Sequence, residues 1–117
     1  MATFTALDAI IPAGEALSNA VDCATGATLG ALVAIICPPD WTSAGGLTFQ
    51  VSLDNASWHD LYDRDGREVI AAVTPNAIVV VSEERSRAAK WLRLRSGTRD
   101  QPFPQPQARP FQIVMAV

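Results

Sequence analysis

The stretch that decides the fold is Leu47-Thr48-Phe49-Gln50-Val51-Ser52-Leu53, in which Leu47, Phe49, Val51 and Leu53 alternate with Thr48, Gln50 and Ser52. A period of two puts the apolar residues on one face of an extended chain and the polar ones on the other. Such a strand needs a second layer to cover its apolar face. The turn candidate Asp54-Asn55-Ala56-Ser57 follows, and Trp58 to Tyr62 is expected to run back beside it.

Outward from that hairpin the chain reads as short strands between turn signals. Leu29 to Cys37 is almost continuously apolar and stops at Pro38-Pro39, as a central strand covered on both faces would. Phe4 to Ile11 is broken off by Pro12-Ala13-Gly14, and Glu15 to Cys23 carries Leu17 and Val21 among small and polar residues. Ala24 to Ala27 reads as a turn, and Asp40 to Gly46 as a loop or a single helical turn that Asp40 would cap. Asp63-Arg64-Asp65-Gly66 is a further turn with Gly66 suited to positive φ, and Glu68 to Val73 is expected to form another strand. Pro75-Asn76 precedes the β-branched run Ile78 to Val81, and Glu83 to Lys90 reads as a loop. Trp91, Leu92 and Leu94 open a strand with Arg93 and Arg95 on its opposite face. Ser96 to Pro110 holds four of the eight prolines and should be extended or looped; Phe111 to Val117 closes the chain as a strand. About seven or eight short strands at this spacing, with no long helix between them, predict an all-β antiparallel sandwich. At 117 residues the chain suits a single domain over 1–117.

Charge sharpens the picture. Only 18% of residues are charged, so the surface is either carried by uncharged polar groups or partly covered by a partner. The net charge of -3 argues against a nucleic-acid partner, which needs a basic excess to displace counterions. Seven of the nine basic residues fall between Arg85 and Arg109, and nine of the twelve acidic ones at or before Glu68. Two such regions on different faces would give a dipolar surface; spread through loops, they would only keep it wet. The longest apolar run is too short to span a bilayer, and no basic stretch precedes an apolar one at the N-terminus. Synthesis in the cytoplasm without a signal peptide and no membrane partner are therefore expected. Cys23 and Cys37 are expected as free buried thiols, with pairing in an oxidising compartment the alternative.

Little in the chain speaks for catalysis. His59 is the only histidine, no strained nucleophile context accompanies it, and a zinc site of several His and Cys is excluded by count. Asp54, Asp60, Asp63 and Asp65 lie close together, but the full calcium-loop spacing is missing; Asp63 is expected to bind main-chain N–H groups of its own turn. No cofactor motif is present, and the expectation is a non-enzymatic protein. The residues left as candidates for ligand or partner contact are Trp41 and Trp58 at strand ends, His59, Asp63, and the arginines Arg93 and Arg95. The two indoles could stack on sugars or plug the ends of the core, and the arginines could meet a partner's carboxylates or stand in solvent.

The ordered set Leu17-Ser18, Pro39-Asp40-Trp41-Thr42, Leu47 to Ser52, Trp58 to Tyr62 with Asp65-Gly66, and Leu94-Arg95-Ser96-Gly97-Thr98 resembles virion-associated proteins of tailed phages, prophages and gene transfer agents. The resemblance covers about Glu15 to Val117. It implies a jelly-roll-like sandwich similar to galactose-binding or discoidin-type modules, serving as a structural or adaptor subunit at the base of a head spike or fibre. The implied partners are capsid, spike or fibre proteins, a second copy of the chain in a homo-oligomer, and a surface glycan; the implied location is the virion or gene-transfer-agent particle. It maps no ligand site onto particular residues. A carbohydrate-binding module contacting cell-surface glycans through the Trp-bearing loops is the alternative, and it requires an exposed Trp41 or Trp58.

Overall fold

The computed structural model describes residues 4–25, 28–29, 31–41, 46–80 and 90–116, with side chains omitted for 4–5, 24–25, 28–29, 31–33 and 116. The expected loop Glu83 to Lys90, apart from Lys90, and the residues Thr42 to Gly45 lie outside this set. Ten strands are described: β1 (Phe4–Ile11), β2 (Val21–Asp22), β3 (Ala24–Thr25), β4 (Thr28–Leu29), β5 (Ala31–Ile36), β6 (Leu47–Ser52), β7 (His59–Asp60), β8 (Ile78–Val80), β9 (Trp91–Ser96) and β10 (Arg109–Ala116). Eight of them form two four-stranded antiparallel sheets, β1-β10-β5-β8 and β2-β9-β6-β7; β3 and β4 pair as a small hairpin. The pairing is nested: the first strand lies beside the last, β2 beside β9, β5 beside β8, and β6 beside β7.

The two sheets pack as a sandwich, and the alternation in the sequence says which side chains lie between them. Leu47 and Phe49 from β6 and Leu92 and Leu94 from β9 meet Ala9, Ile11, Ile35, Phe111, Ile113 and Met115 from the first sheet, all buried. Burying each of the larger side chains is worth about 1.5–3 kcal/mol. Trp41, just after Pro38-Pro39, closes one end of this core and stands edge-on to Phe111, with ring centroids 5.2 Å apart and planes at 74°.

Prolines set where the ladders stop. Gln112 pairs with Ile36 and β10 runs antiparallel to β5, so the next hydrogen-bonding positions outward, two residues on, are held by Pro110 and Pro38. A ladder hydrogen bond needs an N–H that neither residue has, and the β10–β5 ladder ends there. The strand nevertheless begins at Arg109, two residues earlier than the proline-rich composition implies, because Pro110 pairs with Ile10 of β1 at a position where no N–H is needed.

Two further expectations are corrected. Glu68 to Val73 forms no strand of its own. It docks by single bridges, Tyr62 to Glu68 and Leu47 to Ala71, with main-chain bonds between Leu47 and Ala71 of 3.0 and 2.8 Å. Ala24 and Thr25, read as turn residues, are instead the first arm of the β3–β4 hairpin. Both cysteines are buried and free; burial pushes each thiol up to about 11, with a nearby aspartate adding to the effect, Asp22 for Cys23 and Asp40 for Cys37.

The outer face of the first sheet carries Ala6, Asp8 and Ile10 from β1, Pro110, Gln112 and Val114 from β10, Ala34 and Ile36 from β5, and Ile78 and Val80 from β8. Apart from Asp8 and Gln112, which bond to each other at 3.3 Å, it is apolar. Ile10, Ile78 and Val80 are 41%, 63% and 85% exposed, so this surface is open.

Candidate functional site

The outer face of the second sheet has the opposite character. The β6–β9 register places Thr48 beside Arg95 and Gln50 beside Arg93, and β7 brings Asp60 next to Gln50. The same alternation that buries Leu47, Phe49, Leu92 and Leu94 therefore gathers the polar partners of those strands on one surface.

Arg95 is the centre of this surface and is itself buried. Its three nitrogens are all used: one terminal nitrogen meets Asp60 Oδ1 at 2.6 Å, the other meets Glu68 Oε2 at 2.6 Å, and Nε donates to Thr48 Oγ1 at 3.0 Å. Thr48 in turn donates to the carbonyl of Gly97 at 2.8 Å. A buried guanidinium is tolerable only when paired and hydrogen-bonded in this way. Burial works against the Asp60 carboxylate, yet hydrogen bonds from Arg95 and Gln50 and the charges of Arg95 and Arg99 outweigh it and hold its pKa below the usual carboxylate range.

The network continues to both sides. Arg93 donates to Gln50 Oε1 at 2.8 and 2.6 Å, and Gln50 Nε2 reaches Asp60 at 3.3 Å. The Arg93 guanidinium also lies over the Trp58 ring, 4.2 Å from its centroid. Burial, then the charge of Arg95, lowers the pKa of Arg93. On the other side Glu68 accepts the Arg99 main-chain N–H at 3.0 Å, and the Arg99 side chain reaches Asp60 at 3.6 Å and the Tyr62 hydroxyl at 3.5 Å. Lys90 sits 4.6 Å above the Trp91 ring and 3.5 Å from Asp22.

A second polar cluster ties the proline-rich segment to the sandwich. Buried Arg109 meets Asp40 at 2.9 Å and donates to Gln105 Oε1 at 2.8 Å; Gln105 Nε2 donates to Ser96 Oγ at 2.8 Å. Gln105 also bonds through its main chain to Gly14 and Glu15, at 2.7 and 3.0 Å. Between these two segments opens a cleft of about 420 Å³ lined by Glu15, Leu17, Arg95, Arg99, Pro102 and Pro104, among others.

The six candidates from the sequence are thus dispersed. Arg93, Arg95 and Trp58 belong to one network. Trp41 is 4% exposed and belongs to the core end, where its Nε1 has no hydrogen-bond partner among the described residues. His59 is exposed beside Val51, Ser52 and Leu53 at a shallow depression of about 200 Å³. Asp63 Oδ1 accepts the N–H groups of Asp65 and Arg67 at 2.9 and 3.1 Å, closing its own turn. Among the described residues no three His, Cys, Asp or Glu side chains converge as a metal site would require. Sequence reasoning missed Gln50, Asp60, Glu68 and Tyr62 as members of the network. Gln50 was legible as the polar partner position on β6; Glu68 was not, because it was assigned to a strand that does not form.

In chemical terms the network is saturated. Its carboxylates face guanidinium groups, and Asp60 stays ionised well below neutral pH, which suits holding a surface rigid more than delivering protons. Comparison with family models, with curated proteins and with solved structures finds no match to this chain.

Proposed function

We propose that this chain is a non-catalytic structural or adaptor subunit of a phage-like particle, at the attachment of a head spike or fibre, and that it docks through the outer face of its first sheet. The observation that carries the reading is the apolar character of that face, with Ile10, Ile78 and Val80 open to solvent at 41%, 63% and 85%. An apolar patch on a sheet costs solubility unless a partner covers it. The opposite outer face, by contrast, is closed by its own ion pairs and offers a rigid backing to that docking surface.

The fold is read more finely as a jelly roll of the galactose-binding or discoidin-like kind. With the β3–β4 hairpin set aside, the eight remaining strands take the orders 1-8-3-6 and 2-7-4-5. That nested order is what results when one long hairpin of four strand pairs is wound into two sheets, as in jelly rolls of capsid and lectin domains. The carbohydrate reading now rests on Trp58 alone, one face of which is occupied by Arg93.

The test is to express the chain with an epitope tag in a host that releases such particles, then to purify the particles on a density gradient. The tag is expected to band with capsid protein and to be lost from the band when Ile78 and Val80 are both changed to Lys. Recovery of the wild-type chain only in the soluble cell fraction would overturn the proposal.

A further inference from the structure

β1 is an edge strand, and its open side is occupied along only part of its length. Asn19 acts there as a short false strand. Its Oδ1 accepts the N–H of Ile10 at 2.7 Å, its Nδ2 donates to the carbonyl of Asp8 at 3.2 Å, and its own N–H donates to the carbonyl of Ile10 at 3.3 Å. These bonds fix the parity of the strand. In an antiparallel ladder the main-chain groups of successive residues point alternately to either side. Ala6, Asp8 and Ile10 therefore address the open side, and Leu7, Ala9 and Ile11 address β10. Beyond the reach of Asn19, the N–H and carbonyl of Ala6 and the N–H of Asp8 have no partner among the described residues, and both residues are exposed.

We propose that Phe4–Asp8 is a pairing edge for a second copy of this chain, β1 against β1, antiparallel about a two-fold axis at Ala6. Open edges recruit strands because each unpaired amide and carbonyl gains a partner. Several features select this occupant and this register. Asn19 stops any added strand at Asp8, so the two copies share the same free length, and only the register centred on Ala6 uses all of it without running into the Asn19 cap. In that register Asp8 faces Phe4 of the other copy instead of a second Asp8, which avoids opposing like charges across the ladder. The residue at the axis faces itself, and Ala6 brings only two methyl groups together. The two-fold axis is perpendicular to the sheet, so both outer faces stay on one side. The two four-stranded sheets become one continuous sheet, and its open apolar face is doubled towards the size that stable protein interfaces need. The inference stands on the strand edge and does not depend on the particle assignment.

The variant that tests it is Ala6→Pro. Proline removes the N–H at the axis, and that N–H serves no bond among the described residues, so an edge position accepts it without loss of a ladder bond to β10. Sedimentation velocity over a wide concentration range should show a reversible dimer for the wild-type chain and a dissociation constant about tenfold or more weaker for Ala6→Pro. Both should keep the same circular dichroism spectrum. Hydrogen exchange read by NMR supplies the second measurement. The amides of Ala6 and Asp8 should be protected at high concentration and lose protection on dilution, while those of Leu7 and Ala9 stay protected throughout. A wild-type chain that is monomeric at every concentration, with fast exchange at Ala6 and Asp8, overturns the proposal. So does a dimer indifferent to Ala6→Pro that dissociates when Ile78 is changed to Lys. Protection of Ala6 that appears only on binding a different protein also overturns it, since the occupant would then be another chain's strand.

Discussion

Replacing Arg95 by Met isolates the contribution of the central cation at nearly constant volume. The side chain is 7% exposed, and it leaves behind Asp60 at 24% and Glu68 at 13%. Removing one partner of a buried pair costs about 3–5 kcal/mol, because the remaining charges stay desolvated without compensation. Asp60 is the more solvated of the two carboxylates and recovers part of its hydration, so the lower end, about 3 kcal/mol, is expected. For a domain of this size a loss of that order lowers Tm by about 12 °C. The deficit should also depend on pH, with a definite sign. In the wild-type fold the Asp60 pKa is depressed, so its contribution is full above the unfolded carboxylate pKa and is lost as pH falls through the folded value. In the variant Asp60 loses the hydrogen bond and charge of Arg95 that lower its pKa and protonates more readily, so the gap between the two proteins narrows on acidification. Urea unfolding followed by tryptophan fluorescence at neutral pH and near pH ~4 measures both effects. Adding Glu68→Gln to Arg95→Met should recover part of the loss, a non-additivity expected of groups in one network. A deficit below about 1 kcal/mol at neutral pH, unchanged by acid, would refute the reasoning, since exposed pairs behave that way.

Three further outcomes are expected. Gly97, at φ 86°, would place an added Cβ 2.3 Å from the Gln101 carbonyl oxygen, whereas Gly66, at φ 77°, has nothing within 4 Å; Gly66→Ala should cost about 1 kcal/mol and Gly97→Ala at least about twice that by thermal melting. With both thiols pushed up to about 11 and buried, Cys23 and Cys37 should resist a thiol-reactive dye at mildly alkaline pH in the native protein and react fully in denaturant. Trp41→Ala should cost about 3–5 kcal/mol by urea unfolding; Trp41→Phe should cost much less, because phenylalanine retains ring packing and removes an indole N–H that has no acceptor among the described residues.

Strand identity was largely legible, since β6 and the Trp91 strand announce their faces through alternation of single residues. Pairing over long separations was not. Arg95 stands out in sequence as an outward position, yet Asp60 and Glu68 lie 35 and 27 residues away, and no local pattern connects them. Trp41 illustrates a different gap: the loop position is clear, but burial depends on Phe111 at the far end of the chain. Asp63 was readable because an Asx turn is a local device whose donors lie within four residues. The proline-rich stretch hid Gln105, buried through bonds to Ser96 and Arg109 that composition does not encode.

Having β10 between β1 and β5 imposes a timetable on synthesis. β10 fills the middle of its sheet, yet it leaves the ribosome about a hundred residues after β1, a wait of roughly 5–20 s at ordinary elongation rates. Throughout that interval β1 and β5 have no shared neighbour, and the side of β1 that β10 will cover is bare. Closing so long a loop is also entropically slow, so folding should be sluggish for a chain this small. The early strands are thus the part most in need of shelter from premature association while the nascent chain waits for its final segment.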